Sequence, residues 1–318
     1  MAPTIRVRVA STLDAAARIR LYELVPVVGD LPPFTAGAHV TVRLPSGTER
    51  QYSLCNDPAE ANRYVIGVLR CDDGRGGSRE MHAAVAAGVE LLIGAPANNF
   101  PLAPEATASL LVAGGIGATP ILAMARVLAR AGHDFRLVYL SRSPVETAFL
   151  DDLAGPAFAG RVTVHHDEGR ADRQADLAAL LGPAAPGRHL YCCGPAGLMA
   201  AVAGAAADWP AGHVHFEHFT NEIAAEQAGD RPFTVRLAGR GGSYVVPPGR
   251  TILEVLLEAG LDIDYSCGEG TCGTCITRLL AGVADHRDAV LTDAEKAAGD
   301  SITICCSRAK TPELVLDL

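Results

Sequence analysis

The stretch YSCGEGTCGTC (Tyr265–Cys275) places Cys267, Cys272 and Cys275 within nine residues, separated by four residues and then two. Three thiols this close constrain the fold more than any other part of the chain, because the loop must curl around whatever they hold. Twenty-nine residues separate Cys275 from Cys305, which stands beside Cys306 in SITICCS (Ser301–Ser307). Structural zinc is mostly held by two C-x2-C pairs. The four-then-two spacing is that of a [2Fe–2S] site with four thiolate ligands. Zinc and free thiols are the competing readings. Sulfides and thiolates carry excess negative charge, so backbone N–H groups must point at them. Gly268, Gly270 and Gly273 let the loop wrap tightly enough to aim those donors, and Thr271 and Thr274 add hydroxyls. In a strand Cys305 and Cys306 face opposite ways, so only one reaches the cluster, and Cys305 is taken as the fourth ligand.

The chain holds nine cysteines, an odd number, and those outside this set are isolated or adjacent. That is no disulfide framework, and clustered cysteines without one fit metal binding in a cytoplasmic chain. The start alternates Ile5, Val7 and Val9 with Arg6 and Arg8, which reads as a strand and not as the apolar core of an export signal. No apolar run is long enough for a membrane helix. A net charge of −9 argues against a nucleic-acid surface and is compatible with a basic protein partner. Asp262, Asp264 and Glu269 flank the cysteine loop as a candidate acidic docking rim.

Three textures divide the 318 residues. Residues 1–104 carry short alternating runs (IRVRVA, AHVTVRL, RYVIGVLRC) between Pro, Gly and Asp, which predicts a small antiparallel barrel. Residues 105–220 alternate strand, glycine turn and helix, which predicts an α/β layer with a parallel sheet. Its first helix starts near Pro120 and stops at Gly132. Residues 221–231 read as a linker. Residues 232–318 combine strands, a helix with Thr251 and Glu254 at capping-box spacing, and the cysteine loop.

In the first segment, ERQYSL puts Arg50 and Tyr52 on one face of a strand end, where a cation and an aromatic ring can flank a planar ligand. Gly76, Gly77 and Ser78 precede a helix-like stretch and make an anion site suited to a phosphate, with Arg70 and Arg75 adding charge. In the second segment, VAGGIGATP places Gly114, Gly115 and Gly117 between strand and helix, where a pyrophosphate can approach the helix N-terminus. His213 and His215 alternate with Val214 and Phe216 as on a strand with one wet face, and His218 follows them; a metal is the lesser reading. Ala284–Asp293 reads as a polar surface loop.

The last segment resembles a plant-type ferredoxin, a β-grasp fold, and RQYSL, GRGGS, GGIGATP and CCGPAGLM together resemble the ferredoxin–NADP reductase superfamily. In this order the modules resemble the phthalate dioxygenase reductase family across nearly the whole chain. The resemblance implies a multidomain protein: an antiparallel β-barrel flavin domain, an α/β nucleotide domain and a β-grasp ferredoxin domain. It implies FMN, held by Arg50, Gln51, Tyr52 and Ser53, by Val68, Leu69 and Arg70 along the ring, and by Gly76, Gly77 and Ser78 at the phosphate. It puts Thr119 near the flavin's reactive nitrogen, Cys193, Gly194 and Pro195 beside the nicotinamide, and Ser141 and Arg142 at the adenosine ribose. Phe219 would cover the flavin, or pack as a core aromatic. Arg142 suits a 2′-phosphate and no acidic residue stands beside it, yet the branch prefers NADH, and NADH is expected. The implied activity is hydride transfer from NADH to FMN, then single electrons through the [2Fe–2S] cluster to a Rieske-type oxygenase or demethylase, with no catalytic acid, base or nucleophile. A monomer is expected. A cytochrome P450 or other monooxygenase as acceptor, or a flavin/iron–sulfur redox sensor, are the alternatives.

Overall fold

The computed structural model describes residues 4–72, 76–219, 227, 229–265, 268, 270, 271 and 273–318, with Asp293 described by its backbone alone. The chain divides into two compact units, one ending at Glu217 and the other spanning His218–Leu318.

The first unit opens with β1 (Thr4–Ala16), β2 (Ile19–Pro26), β3 (His39–Arg43), β4 (Glu49–Ser53), β5 (Tyr64–Leu69), α1 (Gly77–Ala84) and β6 (Glu90–Gly94). Val7 and Val9 are buried while Arg6 and Arg8 face out, as the alternation predicts. The six strands pair antiparallel in the order β4-β3-β6-β1-β2-β5. A bridge from Leu54 to Ile66 and the Cys55 N–H bond to the Val65 carbonyl (2.9 Å) join the outer strands, so the sheet closes into the expected barrel.

The same unit continues with β7 (Ala108–Gly114), α2 (Ala118–Ala131), β8 (Asp134–Ser141), α3 (Leu150–Leu153), β9 (Val162–His166), α4 (Leu177–Leu181), β10 (Arg188–Cys193), α5 (Ala196–Ala205) and β11 (Val214–Glu217). These strands form a parallel sheet in the order β11-β10-β7-β8-β9. Helices on both faces require a strand apolar on both faces, and β7 is one. Leu111 and Ala113 join a core with Ile121 and Met124 of α2, while Leu110 and Val112 join another with Met199 and Val202 of α5. Gly132 ends α2 at φ 70°, as its position predicts. The first core also takes in Ile19, Cys55 and Val65 of the barrel, so barrel and parallel sheet pack as one body.

The second unit contains β12 (Phe233–Leu237), β13 (Ser243–Val246), α6 (Ile252–Glu258), β14 (Ile276–Ala281), β15 (Ala284–Asp285), α7 (Asp293–Ala298), β16 (Ser301–Thr303), β17 (Arg308–Ala309) and β18 (Glu313–Leu316). A mixed sheet runs β13-β12-β18-β14-β16, with β12 and β18 parallel, and β15 pairs with β17. Thr251 and Glu254 form the expected capping box on α6. Most of the expected linker, 221–231, lies outside the described residues, but Asp230 is held by Arg287 at 3.0 Å. No helix among the described residues is long and apolar enough to cross a membrane.

Candidate functional site

β4 delivers the predicted barrel residues. Tyr52 is half-buried and its phenol is pushed up by burial, while Ser53 is buried. Arg50 lies directly against Gly77, where an added Cβ would stand 2.7 Å from Arg50 Nε. Gly76 caps α1 at φ 86°, a conformation that glycine adopts without strain. The Ser78 hydroxyl accepts the Cys71 N–H at 3.0 Å. Arg50, Gly76, Gly77 and Ser78 therefore converge, giving a cation and a helix start suited to a phosphate. Arg75 lies outside the described residues. On β5, Val68 is buried, Leu69 is half-buried, and Arg70 is exposed and paired with Asp72 at 3.0 Å. Gly67 on the same strand touches α2: a Cβ there would meet Thr119 Cγ2 at 2.8 Å. Thr119 is buried, and its hydroxyl donates to the Ile116 carbonyl at 3.0 Å.

The two glycine turns of the parallel sheet meet through backbone. Gly115–Gly117 form a 3₁₀ turn between β7 and α2. A Cβ on Gly117 would stand 2.2 Å from the Cys193 carbonyl oxygen, and one on Gly114 would stand 2.8 Å from Pro195 Cδ. Gly114, Gly115, Gly117, Cys193, Gly194 and Pro195 are thus one assembly. It opens onto a cavity of about 470 Å³, which Ser141 and Arg142 also line. That volume, with a glycine floor and both arginines and carboxylates on its walls, is of the size that takes a small-molecule ligand.

One expectation needs correcting. Sequence places no acidic residue beside Arg142, but the neighbouring strand does. Asp167 follows β9, its N–H bonds the Ser141 carbonyl at 3.2 Å, and it lines the cavity with Arg142. Strand pairing brings it there, so no local motif announces it.

Glu217 is a second residue that sequence reasoning missed. It ends β11 in register with Cys193. Burial raises its carboxyl to about 8, and Ser53 Oγ donates to its Oε2 at 3.4 Å. Cys193 is fully buried, and burial followed by the Glu217 charge pushes its thiol well up. Ser53 of the barrel and Cys193 of the sheet, both buried, thus meet at half-buried Glu217. His215 is half-buried: it stacks on Tyr191 and lies 3.0 Å from His189.

In the second unit, Cys275 and Cys305 are both buried, and the Ile304 N–H reaches the Cys275 carbonyl at 3.5 Å. Cys267, Cys272 and Glu269 lie outside the described residues. Gly268, Gly270 and Gly273 all have φ between 67° and 77°, the loop-wrapping conformation expected of them. The alternation argument for Cys305 fails: β16 ends at Thr303, and residues 304–306 form a turn in which both cysteines are buried. The Cys306 thiol hydrogen-bonds the Cys305 side chain and lies 3.4 Å from Thr303 Oγ1 and 3.9 Å from Ser307 Oγ. Nor is Ala284–Asp293 a polar surface loop. Asp288 is 1% exposed and accepts the Leu291 N–H at 2.8 Å, while buried Arg287 holds Asp285 and Asp230. Ala289 N–H bonds the Gly270 carbonyl at 3.0 Å, tying this segment to the cysteine loop. Phe219 is 38% exposed.

Residues 235–310 match the 2Fe-2S iron-sulfur cluster binding domain family. The chain is 47% identical to the phthalate dioxygenase reductase of Burkholderia cepacia over 99% of its own length and 97% of the relative's. A solved structure of a phthalate dioxygenase reductase, described as modular for electron transfer from pyridine nucleotides to [2Fe–2S], aligns with a TM-score of 0.76 over 99% and 98% of the two chains at 46% identity. A vanillate O-demethylase oxidoreductase of Pseudomonas putida is 46% identical over 98% of both. The chain also aligns with 41% of an intact type IV self-sufficient cytochrome P450 monooxygenase, over 99% of its own length, at TM-score 0.87 and 38% identity. The chain belongs to the phthalate dioxygenase reductase family, oxidoreductases that pass electrons from NADH through FMN and a [2Fe–2S] cluster to an oxygenase component.

Proposed function

We propose that this chain is the NADH-dependent reductase of a Rieske-type oxygenase that hydroxylates or demethylates an aromatic or similar small substrate. The observation that carries the reading is the spot where Ser53, Glu217 and Cys193 meet, next to the glycine assembly and its cavity. When bound, FMN accepts a hydride and releases its electrons singly, which lets a two-electron donor serve a one-electron cluster.

The residues bind, orient and exclude water. Arg50, Gly76, Gly77 and Ser78 hold the flavin phosphate. Gln51, Tyr52, Ser53, Val68, Leu69 and Arg70 frame the ring, and Thr119 stands at its reactive edge. Gly114, Gly115 and Gly117 take the pyrophosphate, and Cys193, Gly194 and Pro195 bound the nicotinamide, with Glu217 protonated beside them. Ser141 and Arg142 take the adenosine ribose, with Asp167 accepting from its hydroxyls and so selecting NADH. Cys267, Cys272, Cys275 and Cys305 hold the cluster. The domains run 1–104, 105–220 and 232–318 around a linker at 221–231, in a cytoplasmic monomer.

Anaerobic NADH addition, followed in the visible spectrum with chromatography of released flavin, tests the core of this reading. Bleaching of both flavin and iron–sulfur bands with FMN in the supernatant is expected; an unreduced cluster sinks it. Asp167→Ala should raise the NADH KM about tenfold, the cost of one charge-assisted hydrogen bond, without raising that for NADPH. Asp262 and Asp264 are exposed. Asp264→Lys should slow electron delivery to the oxygenase while NADH-driven reduction of ferricyanide holds steady, and equal delivery rates would remove the acidic rim from the docking surface.

The alignment with a self-sufficient cytochrome P450 favours a second reading, in which the acceptor is a haem monooxygenase. Reduction rates measured with a Rieske oxygenase and with a P450 haem domain distinguish the two.

A further inference from the structure

We propose that Arg18, carried on the tip of the β1–β2 hairpin, is the barrel's ligand for the pyrophosphate of the dinucleotide. This inference rests on the reading of the cavity as the NADH site.

A pyrophosphate brings about two negative charges, and the helix start at the glycine turn offers only about half a positive one. A full cation is needed to balance it. The charged side chains lining the cavity are Arg18, Arg142, Glu146 and Asp167, and the His165 ring lines it too. Arg142 and Asp167 sit together at the far edge of the sheet, past the paired residues Ser141 and His166. Arg18 comes from the barrel. Its carbonyl accepts the Arg70 N–H at 2.8 Å, and the Ala17 N–H bonds the Val145 carbonyl at 2.8 Å, so the hairpin tip is pinned to barrel and sheet alike. Ile19 pairs with Leu69 on β5. Two residues back on β5, a Cβ at Gly67 would stand 3.4 Å from the Ile116 side-chain tip, which extends from the glycine turn. Arg18 and the glycine turn thus line the same cavity.

Its present partner holds it loosely. Arg18 Nη2 is 3.9 Å from Glu146 Oε1, and their side chains are 50% and 33% exposed. A solvated pair of this length contributes little, whereas a phosphate accepts two parallel guanidinium N–H bonds. Glu146 thus parks the arginine at the cavity mouth until an anion replaces it.

The test uses full-length holoenzyme, calorimetric titration with ADP-ribose, competition by adenosine, and steady-state NADH oxidation with ferricyanide. Arg18→Ala should weaken ADP-ribose about tenfold, the scale of one charge-assisted contact. The NADH KM should rise in parallel, with the change confined to KM, and adenosine should be unaffected. Arg18→Lys should recover part of the loss, and salt should weaken ADP-ribose less in Arg18→Ala than in the parent protein. Glu146→Gln should tighten ADP-ribose by roughly two- to threefold, the scale of an exposed pair, and that gain should vanish in the double variant. Unchanged ADP-ribose affinity in Arg18→Ala would overturn the proposal. So would an equal loss for adenosine, which would mark a structural role. Failure of the parent protein to bind ADP-ribose would instead overturn the NADH reading beneath it.

Discussion

The two compact units hold their ligands by opposite means. Around the cavity of the first, glycines remove side chains: Gly67, Gly114 and Gly117 each stand where a Cβ would strike Thr119, Pro195 or the Cys193 carbonyl. Behind the cysteine loop of the second, side chains crowd in. Arg287, Asp288, Thr303, Ser307 and Arg308 are all 5% exposed or less. Asp230 is shared between Arg287 at 3.0 Å and Arg308 at 3.6 Å, and Ser307 bonds Thr303 at 2.8 Å. A dinucleotide that enters and leaves needs clearance, which backbone proximity provides without closing the site. A cluster tied by thiolates stays, and its loop needs a stiff backing that a hydrogen-bonded interior supplies.

Removing one member of each arrangement should separate the two. Arg287→Ala leaves the buried Asp230 carboxylate with Arg308 alone, 3.6 Å away, and takes the partner from half-buried Asp285, which costs about 2–3 kcal/mol. The second unit should melt earlier and release iron faster, while NADH still bleaches the flavin; an unchanged melting profile would deny that the buried polar interior is what holds this unit. Gly117→Ala should act the other way. The backbone must shift to clear the Cys193 oxygen, and a misplacement of that order costs about 100-fold in hydride transfer. Stopped-flow flavin reduction measures the loss, with the iron–sulfur spectrum unaltered.

Glu217 sharpens the contrast at smaller amplitude. Its folded-state value of about 8 lies above the ordinary 4.5, so the unfolded chain gives up this proton first. Its contribution is full below about pH 4.5 and is lost as pH rises toward 8. Glu217→Gln should therefore melt later than the parent at pH 8, by about 2–4 °C for roughly 1 kcal/mol, and alike at pH 4.5. A pH-independent difference would remove the carboxyl from the account.

What was readable in the sequence was what is local. The cysteine spacing, the glycine turns, the capping box at Thr251 and the alternation of β1 each lie within one element, where the chain's own geometry dictates the outcome. Asp167, Glu217 and Arg18 were not readable, because each reaches the cavity through a pairing made elsewhere: β9 with β8, β11 with β10, and the hairpin tip with Val145. Ala284–Asp293 misled for a related reason. Its charges look solvent-seeking until Asp230, Ser307 and Lys296 close around them. The turn at Cys305 and Cys306 misled because an apolar run ending in two cysteines has the composition of a strand, while the chain bends after Thr303.

The contact between Gly117 and the Cys193 oxygen also determines how this protein can change. At Gly77 the obstacle is the flexible side chain of Arg50, so a second substitution that shortens residue 50 can make room for a larger residue 77. At Gly117 the obstacle is main chain, present whatever residue occupies position 193. No partner substitution can relieve it. In a randomised library, position 77 should vary in concert with position 50, and position 117 should stay glycine in every background that still oxidises NADH.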